Sequence, residues 1–294
     1  MLTVAMAGLG RMGLPIAQRL LQAGHSLRVY NRTARRAEPL VREGAILAAT
    51  PREACAGADA VVSMLADDEA SRAVWLGSEG VLCADFRPRC FAIECSTLSH
   101  DWATELAAEA ARRHLRYIDS PVTGLPEAGA LGRLTLLVGA HQDDLQEALP
   151  LLSVFADRII RFGPPGAGTA YKLIVNLMGA VQIGSAAEGF AMAEKAGLDP
   201  STFADAIATS QASSPQVVRN TRRMVDDDHD HNVIFTPQLR LKDVEYAMRL
   251  ARKLRIGAPF GAVACDALRR LCAVSSEPVN ESGIISVARL QEPD

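Results

Sequence analysis

Short apolar runs alternate with helix-like segments over the first half of the chain. Between the runs, apolar residues recur at helical spacing, most clearly over 102–114. The apolar runs lie at residues 2–7, 27–31, 58–65, 90–97, 115–122, 134–140 and 158–163. Strands that alternate with helices form βαβ units, so this pattern predicts an α/β fold with a doubly wound parallel sheet.

The second half has no convincing strand pattern. From Thr169 to about Lys195, Ala, Leu, Met and Val dominate one long helical pattern, and helix and loop patterns follow it. The sequence therefore predicts an α/β domain over 1–163 and an all-α C-terminal domain over 164–294, joined by the long helix. A helix of about 30 residues is about 45 Å long. Because one small domain does not cover that length, the pattern also predicts a homodimer or homotetramer.

Composition and charge exclude several classes of protein. The 294 residues are 49% hydrophobic and 22% charged, which is the balance of a soluble globular protein. The 31 basic and 34 acidic residues nearly cancel, so no surface for nucleic acid is expected. No apolar run reaches the roughly 18 residues that span a bilayer, and the six cysteines include no CxxC pair. These features predict a cytoplasmic protein with reduced thiols and without nucleic-acid or membrane partners.

Two groups of residues with metal-ligating side chains are expected not to bind metal. The segment Asp226–His231 contains four aspartates and two histidines, but we expect side chains along such a loop not to converge. Cys265 and Cys272 are seven residues apart, so both lie on one face of a predicted helix, where core packing is their expected role. The sequence predicts no metal site.

A glycine-rich segment follows the first predicted strand and opens a helix. Its residues are Gly8, Leu9, Gly10, Arg11, Met12 and Gly13. In a dinucleotide site the first glycine makes a tight turn, the second admits the pyrophosphate, and the third lets the helix pack on the strand. The phosphates then lie at the helix N-terminus. In this context the motif predicts a Rossmann domain that binds a dinucleotide.

The end of the second predicted strand indicates which dinucleotide is bound. About 20 residues after the glycines, NAD-binding domains commonly carry an Asp or Glu that binds the ribose. This chain has Asn31, Arg32 and Thr33 there, with Arg35 and Arg36 close behind. Without the carboxylate a 2′-phosphate is not repelled, and a guanidinium can bind it through two hydrogen bonds. The sequence therefore favours NADP over NAD.

Two residues at the start of the long helix are candidates for catalysis. Lys172 and Asn176 are four residues apart, so their side chains project to one face. Only four of the 31 basic residues are lysines, and unlike arginine a lysine can give up its proton. Reduction of a carbonyl requires a group that protonates the oxygen, for which Lys172 is suited. Asn176 can hold the same oxygen or a neighbouring hydroxyl.

These segments resemble those of a known family. The stretch from Gly8 to Thr33 is similar to the amino-terminal signature of the β-hydroxyacid dehydrogenases, which include 3-hydroxyisobutyrate dehydrogenase and belong to the 6-phosphogluconate dehydrogenase superfamily. Further matching blocks, in order along the chain, are Met64-Leu65, Ser96-Thr97, residues 119–124, residues 166–176 and residues 241–243. The resemblance implies reversible NADP(H)-dependent oxidation of a small hydroxy acid to a semialdehyde.

The resemblance also implies roles for individual residues. Met64 and Leu65 would lie beside the adenosine, Ser96 and Thr97 near the nicotinamide, and Lys242 in the cleft near nicotinamide and substrate. Lys172 would be the catalytic residue. An alternative for Lys242 is an ion pair with Glu245 on a solvated helix face. The active site is expected in the cleft between the two domains.

The substrate-binding block departs from the family pattern. The usual Ser-Gly-Gly is replaced by Thr123, Gly124 and Leu125. The Thr123 hydroxyl and the Gly124 N–H can still bind a carboxylate, but a bulky apolar side chain replaces the second glycine. This change favours a larger or less polar aldehyde, ketone or imine.

Two alternative functions stay open at this point. Imine reductases share the architecture but usually carry Asp or Tyr at the position of Lys172. A non-catalytic NADP-binding module needs no proton donor, so it would not require Lys172 and Asn176.

Overall fold

The computed structural model describes residues 1–275 and 278–290. The chain forms two compact units, Met1–Lys172 and Leu173–Asp294.

The first unit contains one mainly parallel sheet. Its strands run in the order β3-β2-β1-β4-β5-β6, all parallel, followed by β8, which is antiparallel to β6 and β7 and parallel to β9. The strands are β1 (Thr3–Ala7), β2 (Ser26–Tyr30), β3 (Ile46–Leu47), β4 (Ala60–Ser63), β5 (Phe91–Glu94), β6 (Arg116–Asp119), β7 (Val122–Thr123), β8 (Leu134–Gly139) and β9 (Ala156–Gly163).

Seven α-helices connect these strands. They are α1 (Gly13–Gln22), α2 (Glu38–Arg42), α3 (Pro51–Cys55), α4 (Asp68–Leu76), α5 (His100–Arg112), α6 (Pro126–Ala130) and α7 (Gln142–Leu152). Thr50, Asp67 and Ser99 accept hydrogen bonds from backbone N–H groups in the first turns of α3, α4 and α5, respectively. Such caps satisfy N–H groups that have no partner within the helix, so they explain where these helices begin.

Both faces of the sheet are covered, as the alternation along β1 illustrates. Val4 and Met6 belong to the core on one face, with Ile16 and Phe155, whereas Ala5 and Ala7 belong to the core on the other face. Successive strand residues point to opposite faces, so a strand buried on both sides appears in the sequence as a continuous apolar run. The predicted doubly wound α/β fold is confirmed.

Two details of the sheet differ from the sequence prediction. The two-residue strands β3 and β7 were not expected, because two residues are too few to make an apolar run. Strand β8 enters antiparallel to β6, since the chain turns back through β7 and α6 instead of crossing over a long helix.

The second unit is helical. Its described residues contain no strand, which agrees with the predicted all-α domain. Helix α8 begins in the first unit and continues into the second. The helices are α8 (Ala167–Lys195), α9 (Pro200–Thr209), α10 (Pro215–Val225), α11 (Pro237–Lys253), α12 (Pro259–Val274) and α13 (Ile285–Ala288). Each of α9 to α12 begins with proline, which lacks the N–H that the first turn could not use.

Helix α8 is the core helix of the second unit. Among the described helices it alone is long and apolar enough to cross a membrane, judged by length and composition. The sequence prediction that no segment reaches that length did not anticipate this. However, Ala180, Ile183, Ala187 and Phe190 on this helix are buried in one hydrophobic cluster with Val244 and other residues of the unit. A helix that fills the core of a globular unit passes the same test.

Candidate functional site

The glycine turn after β1 is shaped by two close backbone approaches. Gly8 has φ +94°, and a Cβ there would lie 2.2 Å from the Met64 carbonyl oxygen. A Cβ on Gly13 would lie 2.0 Å from the Gly8 carbonyl oxygen. In contrast, a Cβ on Gly10 would meet nothing within 4 Å. Gly8 and Gly13 are therefore required by the fold, whereas Gly10 leaves space on the outside of the turn.

This turn lies where the strand order reverses. In the sheet, β1 lies between β2 and β4. Ligands of doubly wound sheets bind at such a switch point. Helix α1 starts at Gly13 and has no acidic residue in its first turn. Its N-terminus can therefore attract an anion without internal competition. The residues present fit the diphosphate of a dinucleotide.

Asn31, just after β2, braces the glycine turn. Its Oδ1 accepts the backbone N–H of Leu9 at 2.8 Å, and its Nδ2 donates to the Thr33 carbonyl at 2.9 Å. Both ends of this amide are engaged by the backbone, while the Arg32, Arg35 and Arg36 side chains are exposed. The carboxyl end of β2 thus presents guanidinium groups and no carboxylate.

The ends of β4 and β5 are joined to each other beside this turn. The Met64 N–H donates to the Ala7 carbonyl at 2.9 Å, and the Leu65 N–H donates to the Ser96 hydroxyl at 2.6 Å. Thr97 follows Ser96 and is partly buried. The structure therefore brings Met64, Leu65 and Thr97 to the sheet edge that also carries the glycine turn.

Asp119 fixes the beginning of α8. This buried carboxylate at the end of β6 accepts the N–H of Gly166 at 2.6 Å and that of Thr169 at 2.7 Å. Burial raises the pKa of Asp119 to about 6, although these backbone hydrogen bonds oppose the rise. The helix that carries Lys172 is thereby anchored to the strand that precedes the Thr123 block.

Lys172 lies next to that block. Its Nζ donates to the Val122 carbonyl at 2.9 Å, and Thr123, Gly124 and Leu125 follow with exposed side chains or backbone. Gly124 has φ +137°, which L side chains rarely adopt, and a Cβ there would lie 2.8 Å from a methyl of Leu134.

Leu125, in contrast, has an ordinary backbone. Its φ of −89° and ψ of 167° suit any residue, so the chain accommodates a leucine there without strain. The side chain is 39% exposed.

In the second unit Asp243 joins two further predicted site residues. The buried Asn176 donates from Nδ2 to Asp243 Oδ2 at 2.6 Å, and Lys242 Nζ lies 3.0 Å from Asp243 Oδ1. The Arg240 guanidinium donates to the Asn176 carbonyl at 3.2 Å and forms a buried ion pair with Glu281 at 2.6 Å. A connected polar network thus holds Asn176 and Lys242 in place.

Comparison with known proteins identifies the family of the chain. Residues 3–163 match the NAD binding domain of 6-phosphogluconate dehydrogenase. Residues 166–288 match the family described as NAD-binding of NADP-dependent 3-hydroxyisobutyrate dehydrogenase. The chain belongs to the β-hydroxyacid dehydrogenase family.

Individual relatives are similar over nearly their whole length. The NAD-dependent L-serine dehydrogenase of Pseudomonas aeruginosa is 32% identical over 277 residues, which are 91% of each chain. The structure of Mycobacterium tuberculosis 3-hydroxyisobutyrate dehydrogenase with L-serine has a TM-score of 0.89 at 31% identity, covering 99% of this chain and 100% of that one. Psf3 in complex with NADP+ and 2-OPP has a TM-score of 0.83 at 26% identity, covering 97% and 99%. The protein is therefore an NAD(P)-dependent oxidoreductase that acts on hydroxyl groups.

Three buried carboxylates hold neighbouring site candidates in place, which the sequence pattern does not reveal. Asp119 and Asp243 stand in the sequence only as members of matching blocks, and Glu94 belongs to none of them. A signal existed for Glu94, because an acidic residue ends an otherwise apolar strand in the sequence Phe-Ala-Ile-Glu-Cys. The roles predicted for the individual cofactor, substrate and catalytic residues stay predictions.

Lys242 does not lie on a solvated helix face. Its predicted partner Glu245 forms an ion pair with Arg269 at 2.8 Å, while Lys242 is paired with Asp243 and its side chain is only 18% exposed.

The structure corrects the expectation that the side chains of the acidic loop before α11 do not converge. Asp228, Asp230 and His231 do converge, with potential ligand atoms within 4.8 Å of one another. The loop turns here, with a left-handed φ of 49° at Asp227 and 42° at Asn232. His231 lies 3.0 Å from Asp230 and 3.3 Å from Asp228, so the imidazole can pair with both carboxylates. That no metal binds stays a prediction.

Proposed function

We propose that this dehydrogenase transfers hydride reversibly between NADP(H) and a small hydroxy acid or its semialdehyde, with Lys172 as the general acid and base. The observation that carries the proposal is the hydrogen bond of Lys172 Nζ to the Val122 carbonyl, next to Thr123. It holds the amine beside a loop that offers the Thr123 hydroxyl and the Gly124 N–H to a carboxylate. When bound, the nicotinamide supplies or accepts the hydride.

The residues of the chain would divide the remaining work. Lys172 would protonate the carbonyl oxygen during reduction and take the proton back during oxidation. Asn176, held by Asp243, would bind the same oxygen or a neighbouring hydroxyl. The glycine turn and α1 would hold the diphosphate, Met64 and Leu65 the adenosine side, and Thr97 and Lys242 the nicotinamide side. These roles depend mainly on the orientation of the side chains. The buried carboxylate of Asp243 supplies such orientation for Asn176 and Lys242.

NADP is the proposed cofactor. Arg32, Arg35 and Arg36 are exposed at the end of β2, and Asn31 stands where a carboxylate would repel a 2′-phosphate. The names of relatives include both cofactors, since the Pseudomonas aeruginosa enzyme is NAD-dependent and Psf3 is in complex with NADP+. The proposal of NADP over NAD therefore rests on the three arginines.

A β-hydroxy acid is the proposed substrate class. L-Serine and 3-hydroxyisobutyrate, named for relatives, both place a CH₂OH group next to the carbon that bears a carboxylate. The exposed Leu125 adds an apolar surface beside the proposed carboxylate site, which favours a branched or larger member of the class.

A substrate panel tests the proposal. Hydroxy acids, semialdehydes and cyclic imines are assayed with NADPH or NADP+ and with NADH or NAD+, following absorbance at 340 nm. We expect hydroxy acids to be oxidised and semialdehydes reduced with the NADP pair. Turnover confined to imines would replace the proposal by imine reduction, and cofactor binding without any turnover would favour a non-catalytic module.

We further propose that the enzyme is a homodimer or homotetramer in the cytoplasm. Large apolar side chains of the second unit remain exposed, which is typical of an interface between subunits. They include Ile174, Met178 and Met192 on α8 and Phe260, Val263 and Val274 on α12. All six cysteines are free thiols, which suits a reducing compartment. Light scattering coupled to size-exclusion chromatography measures the mass, and a monomer would contradict the assembly.

A further inference from the structure

The carboxylate of Glu94 is buried and fully engaged by hydrogen-bond donors. It ends β5 and is 1% exposed. Oε2 accepts the Ser71 hydroxyl and the Trp75 indole N–H, both at 2.9 Å. Oε1 accepts the Ser96 backbone N–H at 3.0 Å and also the Ser96 hydroxyl. Each oxygen therefore receives two donors, which matches the acceptor capacity of an ionised carboxylate.

This arrangement requires an acceptor at both oxygens. A glutamine would present N–H groups to the donors on one side, and the buried donors there would lose their partner. Burial raises the pKa of Glu94, and the hydrogen bonds from Ser96 and Ser71 oppose the rise. The donors therefore stabilise the ionised carboxylate, against the effect of burial.

The Ser96 hydroxyl transmits the orientation of Glu94 to the neighbouring loop. A hydroxyl has one proton, and because Ser96 donates it to Glu94, its oxygen is left to accept. The Leu65 N–H donates to that oxygen at 2.6 Å. Glu94 therefore determines which way the hydroxyl points, and the hydroxyl fixes the chain directly after β4.

Thr97 lies between Ser96 and Ser99, each of which is held by hydrogen bonds to a carboxylate. On one side Ser96 is held by Glu94. On the other side Ser99 donates its backbone N–H at 2.8 Å and its hydroxyl at 2.6 Å to Asp68, at the beginning of α4. Ser71 and Trp75, which donate to Glu94, also lie on α4. This helix therefore connects residues 94–99 to the rest of the first unit.

We propose that Glu94 is a positioning residue for the dinucleotide, acting through Ser96 to hold Leu65 and Thr97 where they contact it. The inference rests on the proposed function, because it takes these two loops as the cofactor site. Because Glu94 is buried, it would not itself touch the cofactor.

The test compares cofactor affinity in Glu94→Gln, Ser96→Ala and the double variant. The dissociation constants of NADPH and NADH are measured by calorimetry well below the melting temperature of every variant, where a purely structural loss leaves them unchanged. We expect each single change to weaken the preferred cofactor about tenfold. The double variant is expected to bind the cofactor no more weakly than the weaker-binding single variant, because Glu94 and Ser96 act in series.

Glu105→Gln is the matched control. Glu105 lies on α5 in the same unit, is exposed, and pairs with Arg72, so the same chemical change there is expected to leave both affinities unchanged. Trp75 provides a spectroscopic signature. The chain has two tryptophans, and in a Trp102→Phe background the emission of Trp75 is expected to shift when Glu94 no longer accepts its N–H.

The outcomes separate this inference from the proposed function. Wild-type protein that binds neither dinucleotide would overturn both. Two results would overturn the positioning role alone, provided that the wild type binds a dinucleotide. One is an unchanged affinity in Glu94→Gln. The other is that both single variants bind more weakly and their effects add in the double variant. If Glu94→Gln fails to fold, Ser96→Ala still decides, since it cuts the link to Leu65 and leaves Glu94 in place. Unchanged affinity in that variant would also contradict the proposal.

Discussion

The side-chain amide of Asn176 donates to the carboxylate of Asp243 at 2.6 Å. Because a carboxylate only accepts, this bond identifies the Asn176 atom that faces Asp243 as nitrogen. The amide oxygen is then oriented away from Asp243, and a hydroxyl group can donate to it. Asp243, adjacent to Lys242, thus decides which end of Asn176 is available for the proposed chemistry.

Replacement of Asp243 by Asn should impair turnover more than cofactor binding. The new amide can rotate to offer either end, so Asn176 loses its fixed orientation and Lys242 loses its anionic partner. We expect kcat for the substrate found in the panel to fall at least about tenfold, as misplacement of catalytic groups does. The Kd of NADPH should change less. Asp266→Asn, at an exposed ion pair with Arg270, is the control, and unchanged kcat in Asp243→Asn would refute the orienting role.

Lys172 is the predicted proton donor. General acid catalysis contributes about 10²–10⁴-fold, so Lys172→Ala should lose that much in kcat while NADPH still binds. Lys172→Arg keeps the charge, but arginine does not exchange its proton near neutral pH, so it should be similarly inactive. Lys195→Arg, in the last turn of the same helix, should retain activity. Near-native kcat in Lys172→Arg with an unshifted pH profile would leave Lys172 a positioning role and make Lys242 the next candidate.

Arg32 is predicted to select NADP. A guanidinium that binds the 2′-phosphate should give NADPH at least a tenfold advantage over NADH, which corresponds to about 1.4 kcal/mol. Arg32→Ala should remove this advantage and leave NADH affinity nearly unchanged. Arg42→Ala, at an exposed arginine on α2, serves as control. Equal losses for both cofactors would contradict contact with the 2′-phosphate.

Leu125 is predicted to influence substrate size. Its backbone tolerates any residue, so Leu125→Gly should fold and remove only the apolar surface. We expect kcat/KM to shift towards small hydroxy acids such as 3-hydroxyisobutyrate. The panel is measured for wild type, Leu125→Gly and Leu131→Gly, the last at a more exposed leucine after α6. An unchanged rank order would mean that Leu125 does not contact the substrate.

Asp119 should give stability a distinctive dependence on pH. Its pKa is about 6 in the folded protein against an ordinary value of 3.8, so the folded state binds this proton more tightly than the unfolded chain. The free energy of unfolding should therefore rise as pH falls from about 6 towards 4, by about 3 kcal/mol at most.

Urea unfolding of Asp119→Asn measures this contribution. The rise attributable to Asp119 should be absent, and Asp157→Asn, at an exposed position of β9, should behave as wild type. At neutral pH one backbone N–H of α8 would face the new amide nitrogen, at a cost of about 1–3 kcal/mol. Parallel pH curves for wild type and Asp119→Asn would contradict the raised pKa.

The sequence alone determined the fold class, the glycine turn and the family. Strands buried on both faces are continuous apolar runs, and the close contacts of Gly8 and Gly13 admit no larger residue. These features depend on neighbours along the chain and on steric exclusion, which leave a local pattern.

Only the tertiary structure decided how the charged groups are used. Glu94 receives Ser71 and Trp75 from α4, Asp119 caps a helix that begins 48 residues later, and Asp243 orients Asn176 across 67 residues. A buried carboxylate is stable only where donors converge on it. Those donors come from distant parts of the chain, so their convergence depends on how the elements pack, which the spacing of residues along the sequence does not specify.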